Sequence, residues 1–294
     1  MDYRTDLAIE RKEILDEESG AGEIEGVTME KLDYGNGVVA TRIKILNEMG
    51  ERRMQKPAGS YITIEAKGIL EGRDEVKGNV ITAVTEELSS MLKFHYRLKV
   101  LVAGLGNSAV TPDSLGPEVV SRIRVTRHLF LIFEADGDDE MSCVSCVTPG
   151  VTATTGMETA DIVKKAAELS EPETIIVIDS LAARNIDRVS TTIQITDTGI
   201  SPGAGMGNTR LGINQETIGV RVIAIGVPTV IDASTIIRDA LSENSHTAEE
   251  IEEYIRRYDR QMIVTSTDID MLIKEFSEII AAGINKTLHP GIYS

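Results

Sequence analysis

Apolar and polar positions along this 294-residue chain change period several times. Residues 38–45 and 60–66 alternate with a period of two, the mark of half-buried strands. Gly35-Asn36-Gly37 supplies the positive φ angles of a tight turn, so residues 26–29 and 38–45 are expected to form a hairpin or a strand–loop–strand. Residues 74–93 repeat at helical spacing. From residue 99 the pattern switches. Continuous apolar runs at 100–103, 174–178 and 220–225 alternate with helical stretches at 118–133, 157–169 and 233–241. Residues 143–147 and 191–195 read as further strands, and helices at 248–260 and 267–288 close the chain. Fully apolar strands between helices predict an α/β fold: a mostly parallel sheet with helices on both faces, preceded by an N-terminal β-rich extension. Residues 7–98 are expected to form an arm, hairpin and helix packed on a core of residues 99–294. The first 25 or so residues, with Asp16-Glu17-Glu18 and Gly20-Ala21-Gly22, read as an exposed arm carrying one short helix.

Composition narrows the function. Lys and Arg number 30 against 47 Asp and Glu, a net charge of −17. That balance argues against a nucleic-acid partner, which calls for a basic surface. Apolar residues are 41% of the chain, enough for a sizeable core, yet no apolar run reaches the ~18 residues of a membrane span. No charged-then-apolar start resembles a secretory signal, so a cytoplasmic location and no membrane partner are expected. Two cysteines form no disulfide framework. Cys143 and Cys146 sit three apart in a strand and point to opposite faces, and His95, His128, His246 and His289 are scattered. Neither set has metal-ligand spacing, so no metal or cofactor is expected.

Four places bear on chemistry. Gly104-Leu105-Gly106-Asn107-Ser108-Ala109 follows a strand and formally fits the dinucleotide fingerprint, with Glu134 placed as a ribose-binding acid. Pro112 and Pro117 interrupt the helix that fingerprint requires, so a loop of about ten residues is expected instead. A nucleotide-binding or non-catalytic α/β protein is the rival reading built on that loop. Asp113 lies in it, past the end of one strand, and Asp179 is the first charge after an apolar strand. In a parallel sheet both then face the C-terminal edge, where ligands bind. Paired carboxylates can share a proton, one acting as base toward water and the other as acid; each aspartate alone reads equally as a helix cap or loop carboxylate. Asp197-Thr198-Gly199 spells an aspartic protease signature, but three common residues beside Gly203, Gly205 and Gly207 read as a Gly-rich loop. No G-x-S-x-G elbow accompanies Ser114 or Ser180.

Taken together the motifs resemble the germination protease family, endopeptidases of spore-forming bacteria. The resemblance rests on Tyr3-Arg4-Thr5-Asp6-Leu7-Ala8-Ile9-Glu10, on residues 104–117 with Thr111-Pro112-Asp113-Ser114-Leu115-Gly116-Pro117, and on Thr126-Arg127-His128-Leu129-Phe130. It continues through Pro149-Gly150-Val151, Gly156-Met157-Glu158-Thr159, Ile178-Asp179-Ser180-Leu181-Ala182-Ala183-Arg184, Ile195-Thr196-Asp197-Thr198-Gly199-Ile200 and residues 222–232, with Gly226-Val227-Pro228-Thr229 inside. It implies an aspartic-type peptidase that starts the degradation of small acid-soluble spore proteins, in the developing spore and spore core. The catalytic aspartates it implies are Asp113 and Asp179, with Gly104, Gly106, Asn107, Gly150, Gly156 and Glu158 supporting the loops or substrate. It also implies a zymogen that cuts itself between Asp6 and Leu7, releasing a six-residue pro-segment, and a homotetramer. The Gly104-to-Asp113 pattern is similar to that of hydrogenase-maturation endopeptidases, which implies a related fold.

Overall fold

A computed structural model describes residues 5–19, 22, 24–133, 141–203, 210–242, 248–256 and 262–293. Among the described residues nine strands form one sheet: β1 (Val27–Gly35), β2 (Val38–Ile45), β3 (Gly59–Glu65), β4 (Lys99–Gly104), β5 (Cys143–Val147), β6 (Thr174–Ala183), β7 (Thr192–Thr196), β8 (Arg221–Asp232) and β9 (Ile263–Val264). Their order is β1-β2-β3-β7-β8-β6-β4-β5, with β9 paired to β8. β5, β4, β6 and β8 run parallel. β7 turns antiparallel on β8 and carries β3, β2 and β1 antiparallel beyond it. The α/β core and the β-rich extension expected from the sequence are therefore continuous in one mixed sheet.

Alternation inside the apolar strands divides the core. Val100, Val102, Ile176, Ile178, Ile223 and Ile225 face the helices Asp74–Met91 and Ile269–Leu288. Leu101, Ala103, Ile175 and Val177 face the helix Thr159–Ser170 through Ala160, Val163 and Ala167. Helices cover both faces because each strand buries both sets.

Three expectations change. The N-terminal region is not an exposed arm: Leu7, Ala8 and Ile9 are buried with Ile43, Tyr61, Leu181 and Ala183, and Ala8–Ser19 is helical. Its contacts are apolar side chains and one buried acid, which composition alone averages away. The helix expected over 118–133 is two helices, Leu115–Val120 and Arg127–Phe133. Between them Arg124 N donates to Asn285 Oδ1 at 2.9 Å, Asn285 Nδ2 donates to the Arg122 carbonyl, and His289 Nε2 meets the Arg124 carbonyl, so backbone groups that a continuous helix would use internally are satisfied by the C-terminal helix. Finally, β6 and β8 run past residues 178 and 225 to Ala183 and Asp232. Among the described residues no helix is long and apolar enough to cross a membrane.

Candidate active site

β4 ends at Gly104, which pairs with Ile178 of β6. The next residue of β6 is Asp179. It is not at the end of its own strand, as expected, but where the neighbouring strand leaves the sheet, so its side chain meets the loop that follows β4. That loop folds back tightly. Asn107 N donates to the Asp113 carbonyl at 2.9 Å, and Asp113 N donates to the Val110 carbonyl at 2.8 Å. Gly104 crosses Gly116, where a β-carbon on either would stand 2.2 Å from a carbonyl oxygen of the other segment. The Thr229 hydroxyl of β8 donates to the Pro112 carbonyl at 2.7 Å, tying the loop to the sheet. The short turn Thr111–Asp113 thereby brings Asp113 over β6. No helix starts at the glycines, and the Asn107 N–H is already engaged, so the cradle a dinucleotide pyrophosphate requires is not built here.

Asp113 and Asp179 line one cleft of about 280 Å³. Gly106, Gly150, Ser180, Thr229 and Arg210 line it too. Asp179 is 5% exposed, and its Oδ1 accepts the Ser180 N–H at 2.9 Å. Burial holds its carboxyl well above the usual aspartate range; the charges of Asp113 and Asp6 push it further up, against Ser180 N–H and Arg210. Asp113 is half-buried and raised for the same first reason, with the Asn107 N–H and Arg210 acting against it. Two carboxyls raised in one cleft beside one guanidinium can hold a proton between them.

Other expected residues divide. Gly104 and Asn107 shape the loop, and Gly150 lines the cleft with its carbonyl accepting from Thr159 Oγ1 at 3.2 Å. Gly156 and Glu158 do not line it: Gly156 ends the turn Thr152–Thr155, and exposed Glu158 precedes the helix Thr159–Ser170. Asp197 stands apart from the cleft, its Oδ1 accepting Ser60 N–H at 2.8 Å. Cys143 and Cys146 are free, half-buried thiols on β5, the second pushed up to about 12 by burial. Tyr3, Arg4, Glu134, Gly205, Gly207 and His246 lie outside the described residues.

Asp6 lines the cleft, and it also lines a second groove of about 360 Å³ with Lys56, Tyr61, Gln194 and Thr198. Leu181 is shared by both, so the two compartments meet at Asp6 and Leu181. Arg210, Thr229, Lys56 and Gln194 were not legible from the sequence. Thr229 stood within a matched stretch, but Gln194 is one polar residue in an alternating strand.

The germination protease family model matches residues 4–243. The chain is 44% identical to a germination protease of Caldanaerobacter subterraneus subsp. tengcongensis, covering 98% of this chain and 95% of that one. It is 40% identical to a germination protease of Clostridium tetani, over 99% and 97%. A NiFe hydrogenase maturation protease of Thermococcus kodakarensis superposes with a TM-score of 0.38 at 13% identity, covering 67% of this chain and 98% of that one.

Proposed function

Because the chain belongs to the germination protease family and is a peptidase, we propose that it cuts small acid-soluble spore proteins by an aspartate-pair mechanism. The observation that carries this reading is the shared cleft of Asp113 and Asp179, with Asp179 the more buried and the more strongly raised. Asp179 holds the proton. Asp113, less buried and less strongly raised, is the carboxylate that takes a proton from water. The resulting hydroxide adds to the peptide carbonyl carbon. The Asp179 proton passes to the departing amine nitrogen as the C–N bond breaks, and the proton on Asp113 returns to Asp179 through the cleft. The Arg210 guanidinium offsets the negative charge that develops.

Self-processing between Asp6 and Leu7 belongs to the same reading. Its support is that Asp6 lines the cleft that holds both aspartates. The homotetramer is also part of it, supported by apolar surface at Leu131, Ile132 and Leu169; sedimentation of the purified chain tests it, and a monomer at micromolar concentration rejects it.

The catalytic test is hydrolysis of a small acid-soluble spore protein by the full chain. Asp113→Asn and Asp179→Asn, each still folded, are expected to lose roughly 10²–10⁴-fold in rate, the usual worth of a general acid or base. A folded variant with undiminished rate removes that residue from the mechanism.

A further inference from the structure

β8 carries a fault where it passes the loop of Asp113. Leu181 of β6 pairs with Pro228, and the next residue, Ala182, pairs with Val230. Thr229 is the extra residue of that bulge. β7 pairs with β8 no further than Gly226, and β9 joins it only at Ile231 and Asp232, so Thr229 has no partner in register on either side. A bulged residue is released from the alternation of its strand, and its side chain can be re-aimed. Thr229 is buried, and its hydroxyl is aimed at the Pro112 carbonyl, 2.7 Å away. Its own carbonyl accepts from Thr265 Oγ1, just beyond β9, at 2.7 Å.

The Pro112 carbonyl belongs to the peptide plane that leads into Asp113. The N–H of the same plane, that of Asp113, donates to the Val110 carbonyl at 2.8 Å. A planar peptide held at both ends has little freedom to rotate. The following plane is held through its carbonyl, which accepts the Asn107 N–H at 2.9 Å. Both planes that meet at the Asp113 α-carbon are therefore pinned, and the side-chain torsions alone remain to aim the carboxyl. Two of these three bonds are made within residues 107–113 and would move with the loop. The Thr229 bond is the one of the three that ties Asp113 to the sheet. Thr229 lies on β8, beside the β6 strand that carries Asp179, so strand pairing sets its distance from that second carboxyl.

We propose that Thr229 is a positioning residue for peptide hydrolysis. It registers Asp113 against Asp179 by fixing the peptide between residues 112 and 113 to the sheet, and Thr265 fixes Thr229 in turn. This role rests on the aspartate-pair reading. Thr229 also lines the cleft, but its hydroxyl proton is engaged by Pro112 and is not offered to substrate. A threonine that only satisfied a loop carbonyl would act on folding. One that sets the spacing of two carboxyls acts on the chemical step and leaves binding alone.

The full chain is compared with three variants. Thr229→Val keeps the branched shape and removes the donor, Thr229→Ser keeps the donor, and Thr265→Val removes the bond behind it. Hydrolysis of a small acid-soluble spore protein gives kcat and KM. Amide exchange read by mass spectrometry reports the opening of residues 107–114 without reference to catalysis. Thr229→Val is expected to lower kcat about 10–100-fold, the order of loss that ~1 Å of misplacement brings, with KM within about twofold of wild type. Thr229→Ser is expected to return kcat to within about threefold of wild type, and Thr265→Val to lower it roughly three- to tenfold. Exchange over residues 107–114 is expected to quicken at least ~tenfold in Thr229→Val while β1 and β2 exchange as in wild type. An unchanged kcat in Thr229→Val, a loss that Thr229→Ser does not recover, or exchange that quickens throughout the sheet overturns the positioning role. If Thr229→Val does not fold, Thr265→Val decides, and an unchanged kcat there overturns it. A wild type that hydrolyses nothing, with the exchange difference confined to residues 107–114, rejects the aspartate-pair mechanism and leaves the clamp on Asp113 standing.

Discussion

Gly106 passes so close to Asp113 that a β-carbon on it would stand 2.0 Å from the Asp113 carbonyl oxygen and 3.1 Å from its Oδ1. Its φ of +104° is also one that side chains rarely adopt. The neighbour that must yield is backbone, and it carries a proposed catalytic aspartate. Gly106→Ala is therefore expected to cost about 2 kcal/mol of stability and to lower kcat by displacing Asp113. Urea unfolding and peptide hydrolysis measured on the same preparation check both parts.

The second prediction concerns Asp179 and the pH dependence of stability. Its pKa is raised by folding, so the native state binds the proton more tightly than the unfolded chain does. The stabilisation is present below the unfolded value and is lost as pH rises through the folded one. Asp179→Asn removes that loss. The variant is expected to be inactive yet more stable than wild type near neutral pH, by ~1.4 kcal/mol for each unit of the shift. Urea midpoints from pH 4 to pH 8 should diverge upward with pH; parallel curves would contradict the assignment.

Arg210 gives a kinetic counterpart. Its charge opposes the upward shift of Asp113 and Asp179 alike. Arg210→Gln leaves Asp113 harder to ionise, so the acid limb of kcat/KM against pH is expected to move to higher pH. A pH profile on one short peptide is sufficient, and an unmoved acid limb separates Arg210 from the base.

Glu10 anchors the N-terminal segment. It is 1% exposed, accepts the N–H groups of Arg184 and Asn185 at 2.8 Å each, and lies 3.8 Å from Arg188. Glu10→Ala strands two buried backbone donors and unbalances Arg188, which retains its two-point pairing with Glu13 at 2.6 Å. About 3 kcal/mol of destabilisation is expected. Limited proteolysis should then cut near residues 5–10 well before the remainder of the chain.

A core substitution sets the scale for these effects. Phe276 is 1% exposed, on the helix that packs with Asp74–Met91. Phe276→Ala is expected to cost about 3–5 kcal/mol through the cavity it leaves. Thermal unfolding measures it, and a loss below 1 kcal/mol would mean that the helix pair repacks.

Much of this architecture is legible along the chain because it is set locally. Asn36-Gly37 predicts the β1–β2 turn, and the apolar runs at 100–103 and 174–178 predict two central strands. Asp179 stands out because a charge directly after four apolar residues has to leave the core or be used. What escapes is set by residues distant in sequence. Pro228 reads as a strand terminator, yet β8 continues through it: β7 pairs with β8 only at residues 224–226, and the register with β6 shifts between Leu181 and Ala182. The missing N–H of Pro228 thus falls where regular pairing is already interrupted. Its carbonyl is used, accepting Ser190 N–H at 2.7 Å. Gln194 and Lys56 carry no local signal because their shared partner, Asp6, lies 188 and 50 residues away in the chain. The interruption at residues 121–126 likewise depends on Asn285 and His289.

The mixed sheet also sets a schedule for synthesis. β3 pairs with β7, joining Tyr61 to Thr196, so the N-terminal hairpin waits for a partner 135 residues downstream. The cleft wall needs Thr229, Val230 and Ile263, later still. Chains emerge N-terminus first and fold as segments become available. A ribosome-bound chain shorter than about 263 residues therefore lacks part of the cleft around Asp113 and Asp179. On the proposed mechanism, the order of the strands leaves the nascent chain without its cleft until translation is nearly finished.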